Sequence, residues 1–397
     1  MMRLSSDDLP MFFEPRHGAL AERLRAAAPA LAEVEGPDAH ADEEARDRAA
    51  ARALAAAGLF DLVVPEVRSE LDARSICLAR EMLGYVSPRA DSIFAVQGLG
   101  SHPIALAGSD PQRALLPALA RGAGIAAFAL TEPEAGSDIA AIATRAVACD
   151  GGWRLDGDKL FISNLGIADH AVVFASTAPE LRGAGLTAFW VPLATPGITV
   201  RKLTASAPHP IGALELRGAI VPASARIGEL GGGMKLALRT LDQFRVSVGA
   251  AAVGMARRAM DEAIGFVTRR VQFGKPLAEQ PLVQAHLADM AVDLDAARLL
   301  VLRAAYLKDT SGDRVTTEVS IAKLGATEAA SRVIDRAVQL FGGRGVMAGA
   351  VVEHLYRAVR PLRIYEGTSE IQRTIIGRAL AAGATPAAGT RGTPGSR

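Results

Sequence analysis

A single carboxylate, Glu366, sits in the run Ile364-Tyr365-Glu366-Gly367-Thr368-Ser369-Glu370. It follows an apolar helical stretch, Val351 to Val359, that Pro361 breaks, and a second helical pattern starts at Ile371. An acid in a short turn between two buried elements, with Gly367 free to bend the backbone, is partly shielded from water. Shielding raises proton affinity, which suits a base acting near neutral pH. The same residues also read as a plain helix start, with Thr368 as N-cap and Glu370 in the first turn.

Four further segments have the composition of a binding site. Thr131-Glu132-Pro133-Glu134-Ala135-Gly136-Ser137-Asp138 combines turn-formers with hydroxyls. It either receives an anionic or carbonyl-rich ligand on free N–H and Oγ groups, or forms a surface turn. Phe161-Ile162-Ser163-Asn164 ends a strand pattern with an aromatic and, two residues on, a hydroxyl on the same face. That pairing suits a planar heteroaromatic ring, although Phe161 fits an ordinary sandwich core as well. Arg270-Val271-Gln272-Phe273-Gly274-Lys275 closes a long helical pattern, where a cation and an amide satisfy the last carbonyls or pair with a pyrophosphate. Gln339-Leu340-Phe341-Gly342-Gly343-Arg344-Gly345 closes another, and a C-cap explains one of its glycines but not three.

The elements that position these residues fall into three blocks. Residues 1–125 are alanine-rich and helical in pattern, with Leu20, Leu24 and Leu31 on one face and a second helix ending near Gly58. Residues 126–230 read as strands and are the right size for a β-sandwich or barrel. Within them Asp156-Gly157-Asp158 predicts a hairpin turn. Gly231-Gly232-Gly233 opens residues 231–383, where long helical patterns predict an antiparallel four-helix bundle. One helix carries a stripe of Leu287, Met290, Leu294, Ala297 and Val301; the next has Ile321, Leu324, Val333 and Val338 as its apolar positions. Residues 384–397, rich in Ala, Gly, Pro and Thr, predict a disordered tail. The fold class is α+β.

Composition narrows the function. Lys plus Arg (44) balances Asp plus Glu (43), so no charge field draws the chain to nucleic acid. Two cysteines exclude a disulfide framework, and the seven histidines show no zinc-ligand spacing, so no metal is expected. Mean hydropathy is high at +0.20, but no apolar run is long enough to span a bilayer. Met1 to Pro10 lacks the apolar core of a signal peptide, and a cytoplasmic location is the expectation.

Together and in this order, the four segments resemble the acyl-CoA dehydrogenase family of flavoproteins. Thr131–Asp138 is similar to its first signature; Gln339–Gly345 with Ile364–Arg373 is similar to its C-terminal one. The resemblance implies FAD bound between the β domain and the bundle. Leu130 and Thr131 would contact the flavin ring and Ser137 the pyrophosphate. Phe161 and Ser163 would replace the family's usual tryptophan and threonine. Arg270, Gln272 and Phe273, with Gln339, Gly342 and Gly343 from a neighbouring subunit, would hold the ADP half. Thr368 and Glu370 match further FAD contacts. Such sharing implies a homodimer or homotetramer.

Glu366 matches the family's catalytic base, which takes the α-proton of an acyl thioester while the β-hydrogen leaves as hydride to flavin N5. Ser137, Arg245 and Gly367 join it as substrate contacts. The position used for the base by some relatives is Phe244 here, which accepts no proton. An electron-transfer flavoprotein is the implied electron acceptor. A flavin oxidase or monooxygenase on the same fold and a non-catalytic relative are the alternatives. One departure stands out. Where many relatives carry Gly-x-Arg-x-Ser, this chain reads Thr204-Ala205-Ser206-Ala207-Pro208-His209-Pro210. The thioester carrier is therefore CoA or an acyl carrier protein.

Overall fold

The computed structural model describes residues 8–35, 42–65, 71–207, 209–312 and 314–384. Six helices come first: α1 (Pro15–Glu33), α2 (Glu43–Ala56), α3 (Ala73–Val86), α4 (Pro88–Ala107), α5 (Asp110–Arg113) and α6 (Leu116–Ala120). Leu20, Leu24 and Leu31 are buried, so the face inferred from their spacing is the one that packs. Gly58 ends the second helical segment at φ 64, a left-handed conformation that glycine adopts without steric cost.

Eight strands follow: β1 (Ala126–Ala129), β2 (Arg145–Cys149), β3 (Gly152–Ser163), β4 (His170–Ser176), β5 (Leu186–Pro192), β6 (Ile198–Lys202), β7 (Ile211–Pro222) and β8 (Arg226–Ile227). Their order is β6-β7-β3-β2-β4-β5-β8, with β1 beside β4. One residue pair, Arg145 with Ser176, joins β2 to β4. Ala146, Leu155 and Leu214 from one half pack with Val173, Phe189 and Val191 from the other over a common core, the arrangement of a sandwich.

The hairpin expected at Asp156-Gly157-Asp158 is absent. β3 runs through it as one twelve-residue strand, and its register against β7 slips between Leu155 and Gly157. Gly157 is needed because a Cβ there would lie 2.5 Å from Thr144 Oγ1. An Asp-Gly pair tolerates unusual backbone geometry, and here that serves a bulge rather than a turn. The turn itself falls at Asp150-Gly151, between β2 and β3.

The last block holds α7 (Gly233–Arg269), a small ladder of β9 (Val271–Gln272) and β10 (Lys275–Pro276), then α8 (Pro281–Thr310), α9 (Thr316–Phe341), α10 (Val351–Val359) and α11 (Ser369–Ala384). The α8 stripe is buried at Met290, Leu294, Ala297 and Val301. On α9, Val333 is buried, whereas Ile321, Leu324 and Val338 are half-buried. Val319, Ala322, Ala326, Ala330, Ile334 and Ala337 are buried with Val333, and the alanines among them let α7 and α9 approach closely. Against α3, α7 comes closer still. A Cβ at Gly254 would lie 2.0 Å from Glu81 O, and one at Gly84 2.3 Å from Ala251 O, so backbone meets backbone. This contact fixes the first block on the bundle. The tail expected over 384–397 lies outside the described residues from 385 onward.

Candidate active site

Glu366 lies in the turn between the short 3-10 helix Arg360–Arg363 and α11. Its φ is 52, a left-handed conformation that costs a non-glycine residue about 1 kcal/mol or more. Three side chains from other elements hold the turn there. Arg245 Nε of α7 donates to Glu366 O at 3.3 Å, and Gln372 Nε2 of α11 donates to Glu366 O at 3.3 Å and Gly367 O at 2.9 Å. Lys323 Nζ of α9 donates to Gly367 O at 2.8 Å. Thr368 does cap α11, its Oγ1 accepting from Ile371 N at 3.3 Å. Thr368→Ala should therefore cost about 1 kcal/mol of stability, measured in denaturant unfolding, with Thr368→Ser retaining it.

The carboxylate faces inward from this turn. The residue as a whole is half-buried, but Oε2 is shielded from water and has no hydrogen-bond partner among the described residues. The Glu366 N–H likewise makes no hydrogen bond among them. Burial raises the carboxyl pKa above its ordinary 4.5, and Arg80, Lys323 and Arg245 offset only part of that. Burial also pushes the Lys323 ammonium down to about 8. A desolvated carboxylate without a partner, held by strain and surrounded by cations, is poised to take a proton. The rival position, Phe244, is fully buried and carries no base.

The remaining expected residues form two groups. On the sheet, Leu130 and Thr131 follow β1, Ser137 is exposed in the same loop, and Phe161 and half-buried Ser163 end β3. Leu160 N donates to Thr131 O at 3.0 Å, and Lys159 Nζ donates to Leu130 O at 3.2 Å, so loop and strand are joined. At the end of the bundle, exposed Arg270, Gln272 and Phe273 follow α7, while Gln339, Gly342 and Gly343 close α9. The Phe266 and Phe341 rings stack with centroids 4.3 Å apart and bring these two helix ends together. Glu370 is exposed on the first turn of α11.

Two of these residues test whether a flat cofactor fits. Phe161 has φ 58 at the second register slip of β3 and is 62% exposed, which rules out the sandwich-core role. Phe273 has φ 52 and is 95% exposed. Rings held outward at a backbone cost need covering, by a planar ligand or another subunit. The residues present thus fit a flat cofactor such as a flavin. Among the described residues no cluster of His, Cys, Asp or Glu is arranged for a metal, and no helix is long and apolar enough to cross a membrane.

Comparison with known proteins decides the family. The acyl-CoA dehydrogenase C-terminal domain matches residues 231–381, the middle domain 127–218 and the N-terminal domain 19–123. The chain is 38% identical over 333 residues to the mitochondrial short-chain specific acyl-CoA dehydrogenase of Homo sapiens, covering 80% of this chain and 79% of that one. The chain belongs to the acyl-CoA dehydrogenase family. It is an FAD-dependent flavoenzyme of that family. A probable acyl-CoA dehydrogenase of Mycobacterium tuberculosis is 38% identical over 369 residues, 90% of this chain and 95% of the relative. Among solved structures, butyryl-CoA dehydrogenase from Megasphaera elsdenii matches with a TM-score of 0.83 and 33% identity over 91% of this chain and 98% of that one. The prolyl acyl carrier protein oxidase AnaB matches at 0.80 and 27%, over 90% and 98%.

Several residues around this candidate site carry no signal in the sequence. Arg80 and Asp91 are 11 residues apart on separate helices, yet form a buried pair beside Glu366. Lys323 and Gln372 hold its turn from α9 and α11. In the departing segment, Arg357 Nη1 donates to Ser206 O, and half-buried His209 lies with Nδ1 3.3 Å from Ala207 O. Burial lowers the His209 pKa and so disfavours its cation.

Proposed function

We propose that this chain dehydrogenates an acyl thioester between its α and β carbons, with Glu366 as the base. The observation that carries this is the desolvated Oε2 of Glu366, without a hydrogen-bond partner among the described residues, in a strained turn that side chains from three helices hold. The thioester carbonyl acidifies the α C–H, and the Glu366 carboxylate takes that proton. The free Glu366 N–H donates to the thioester oxygen, where negative charge develops. Arg245 keeps the turn aimed through its bond to Glu366 O. Bound FAD supplies the acceptor for the β-hydrogen as hydride. Leu130, Thr131, Ser137, Phe161, Ser163, Thr368 and Glu370 would hold it in one subunit, and Arg270, Gln272, Phe273, Gln339, Gly342 and Gly343 across the interface of a homodimer or homotetramer.

An electron-transfer flavoprotein is the acceptor that fits this reading, and the cytoplasm the compartment. A carrier-protein thioester remains a second substrate form, favoured by the missing arginine in 204–210 and by likeness to an acyl carrier protein oxidase. Anaerobic bleaching of the flavin by acyl-CoA and by the matching acyl carrier protein tests both. Faster bleaching by one assigns the carrier; equal rates remove the carrier-protein idea. Bleaching by neither rejects the dehydrogenation. Rapid peroxide release by the reduced enzyme would replace it with an oxidase.

A further inference from the structure

Beside the Glu366 turn, α3, α4 and α7 pack around two buried plugs. The first is an ion pair. Arg80 of α3 donates from Nε to Asp91 Oδ1 and from Nη2 to Asp91 Oδ2 of α4, both at 2.8 Å, and from Nη1 to Ser247 Oγ of α7 at 3.1 Å. Ser247 in turn donates to Phe244 O at 2.6 Å. The paired side chains are 1% and 2% exposed. The same guanidinium reaches Tyr365, and of all cations it acts most strongly on the Glu366 carboxylate.

The second plug is Phe244. Its ring fills a notch at Gly98 of α4, where even a Cβ would lie 2.6 Å from the ring and 2.9 Å from Val63. His102 closes it edge-on, with ring centroids 5.7 Å apart. Burial pushes that imidazole down to about 3, so it is neutral and adds no charge to the wall.

An acyl group whose α-carbon met Glu366 would run its tail towards these two plugs. A longer alkyl tail would have to part the pair, stranding a guanidinium and a carboxylate in an apolar interior. Alternatively it would overpack the wall at Phe244. We propose that the Arg80–Asp91 pair and Phe244 are the floor and wall of the acyl site, and confine it to acyl groups of butyryl rather than octanoyl length. This rests on Glu366 being the α-proton base.

The test uses the FAD-loaded protein and two variants, Arg80→Met combined with Asp91→Leu, and Phe244→Ala. Each is titrated with S-butyl- and S-octylpantetheine, thioethers that cannot be oxidised and carry the arm common to CoA and carrier proteins. Anaerobic bleaching by butyryl- and octanoylpantetheine is timed alongside. The wild type should favour the butyl member in both assays. Each variant should raise the octyl-to-butyl ratio by at least roughly tenfold. Ratios are taken within each protein, so partial loss of folded material does not move them. An unchanged ratio in both variants, equal handling of the two lengths by the wild type, or no binding of either thioether overturns the floor. A binding preference without bleaching keeps the floor and rejects dehydrogenation; bleaching without a length preference does the reverse.

Discussion

Glu366→Gln is expected to slow anaerobic flavin reduction by roughly 10²- to 10⁴-fold, the usual contribution of a positioned general base, while FAD stays bound. Glutamine keeps the shape of the turn and its carbonyl contacts with Arg245 and Gln372 but accepts no proton. Stopped-flow bleaching with an active thioester measures the loss, and the flavin absorbance of the purified variant reports cofactor retention. Activity within a few-fold of wild type would place the base elsewhere.

Thermal unfolding across pH gives an independent readout of the same residue. The folded-state pKa of Glu366 is raised above the unfolded value, so ionisation in the fold costs stability at pH above both. Glu366→Gln should therefore be more stable than wild type near neutral pH. That advantage should close as pH falls through the raised value, because the wild-type carboxyl then takes up its proton in the folded state first. In the wild type, the bleaching rate should rise with pH through that same window.

The Glu366 turn is legible in the sequence because Pro361 and Gly367 punctuate it locally. Its surroundings are not, because they are assembled from far apart. Arg80 sits in a helix where an arginine would ordinarily face solvent, and only the close passage of α3 over α7 at Gly84 and Gly254 buries it against Ser247. On α9, alanines share the buried face with Val319, Val333 and Ile334, a choice set by the partner helix and not marked by the spacing of the larger apolar residues alone. Asp156-Gly157 shows the same limit on the sheet. A glycine that tolerates tight packing is recognisable, but whether it serves a turn or a bulge depends on Thr144 across the strand.

The same long-range assembly governs the loop after β1 that is proposed to face the cofactor, and breaking it there should have the largest effect on stability. Glu132 Oε1 accepts from Lys159 Nζ at 2.7 Å, and its oxygens also take the Ala143 and Thr144 N–H groups and the Thr144 hydroxyl. The side chains are 0% (Lys159) and 5% (Glu132) exposed. Burial alone would raise the Glu132 carboxyl, but these donors outweigh it and hold it below 4.5. Burial pushes the Lys159 ammonium down to about 8 even with its partner present. Glu132→Ala leaves that lysine alone in the interior, and the expected loss is about 3 to 5 kcal/mol in denaturant unfolding, with weakened FAD binding. The loss should shrink as pH rises, since an unpaired buried lysine sheds its proton more readily than the paired one. Adding Lys159→Met removes the stranded charge and should recover most of the stability. FAD affinity should recover less, because Lys159 Nζ also holds Leu130 O, and with it the start of the loop proposed to contact the flavin. A double variant no more stable than Glu132→Ala would show that the lost N–H contacts of Glu132, and not the lysine charge, carry the cost.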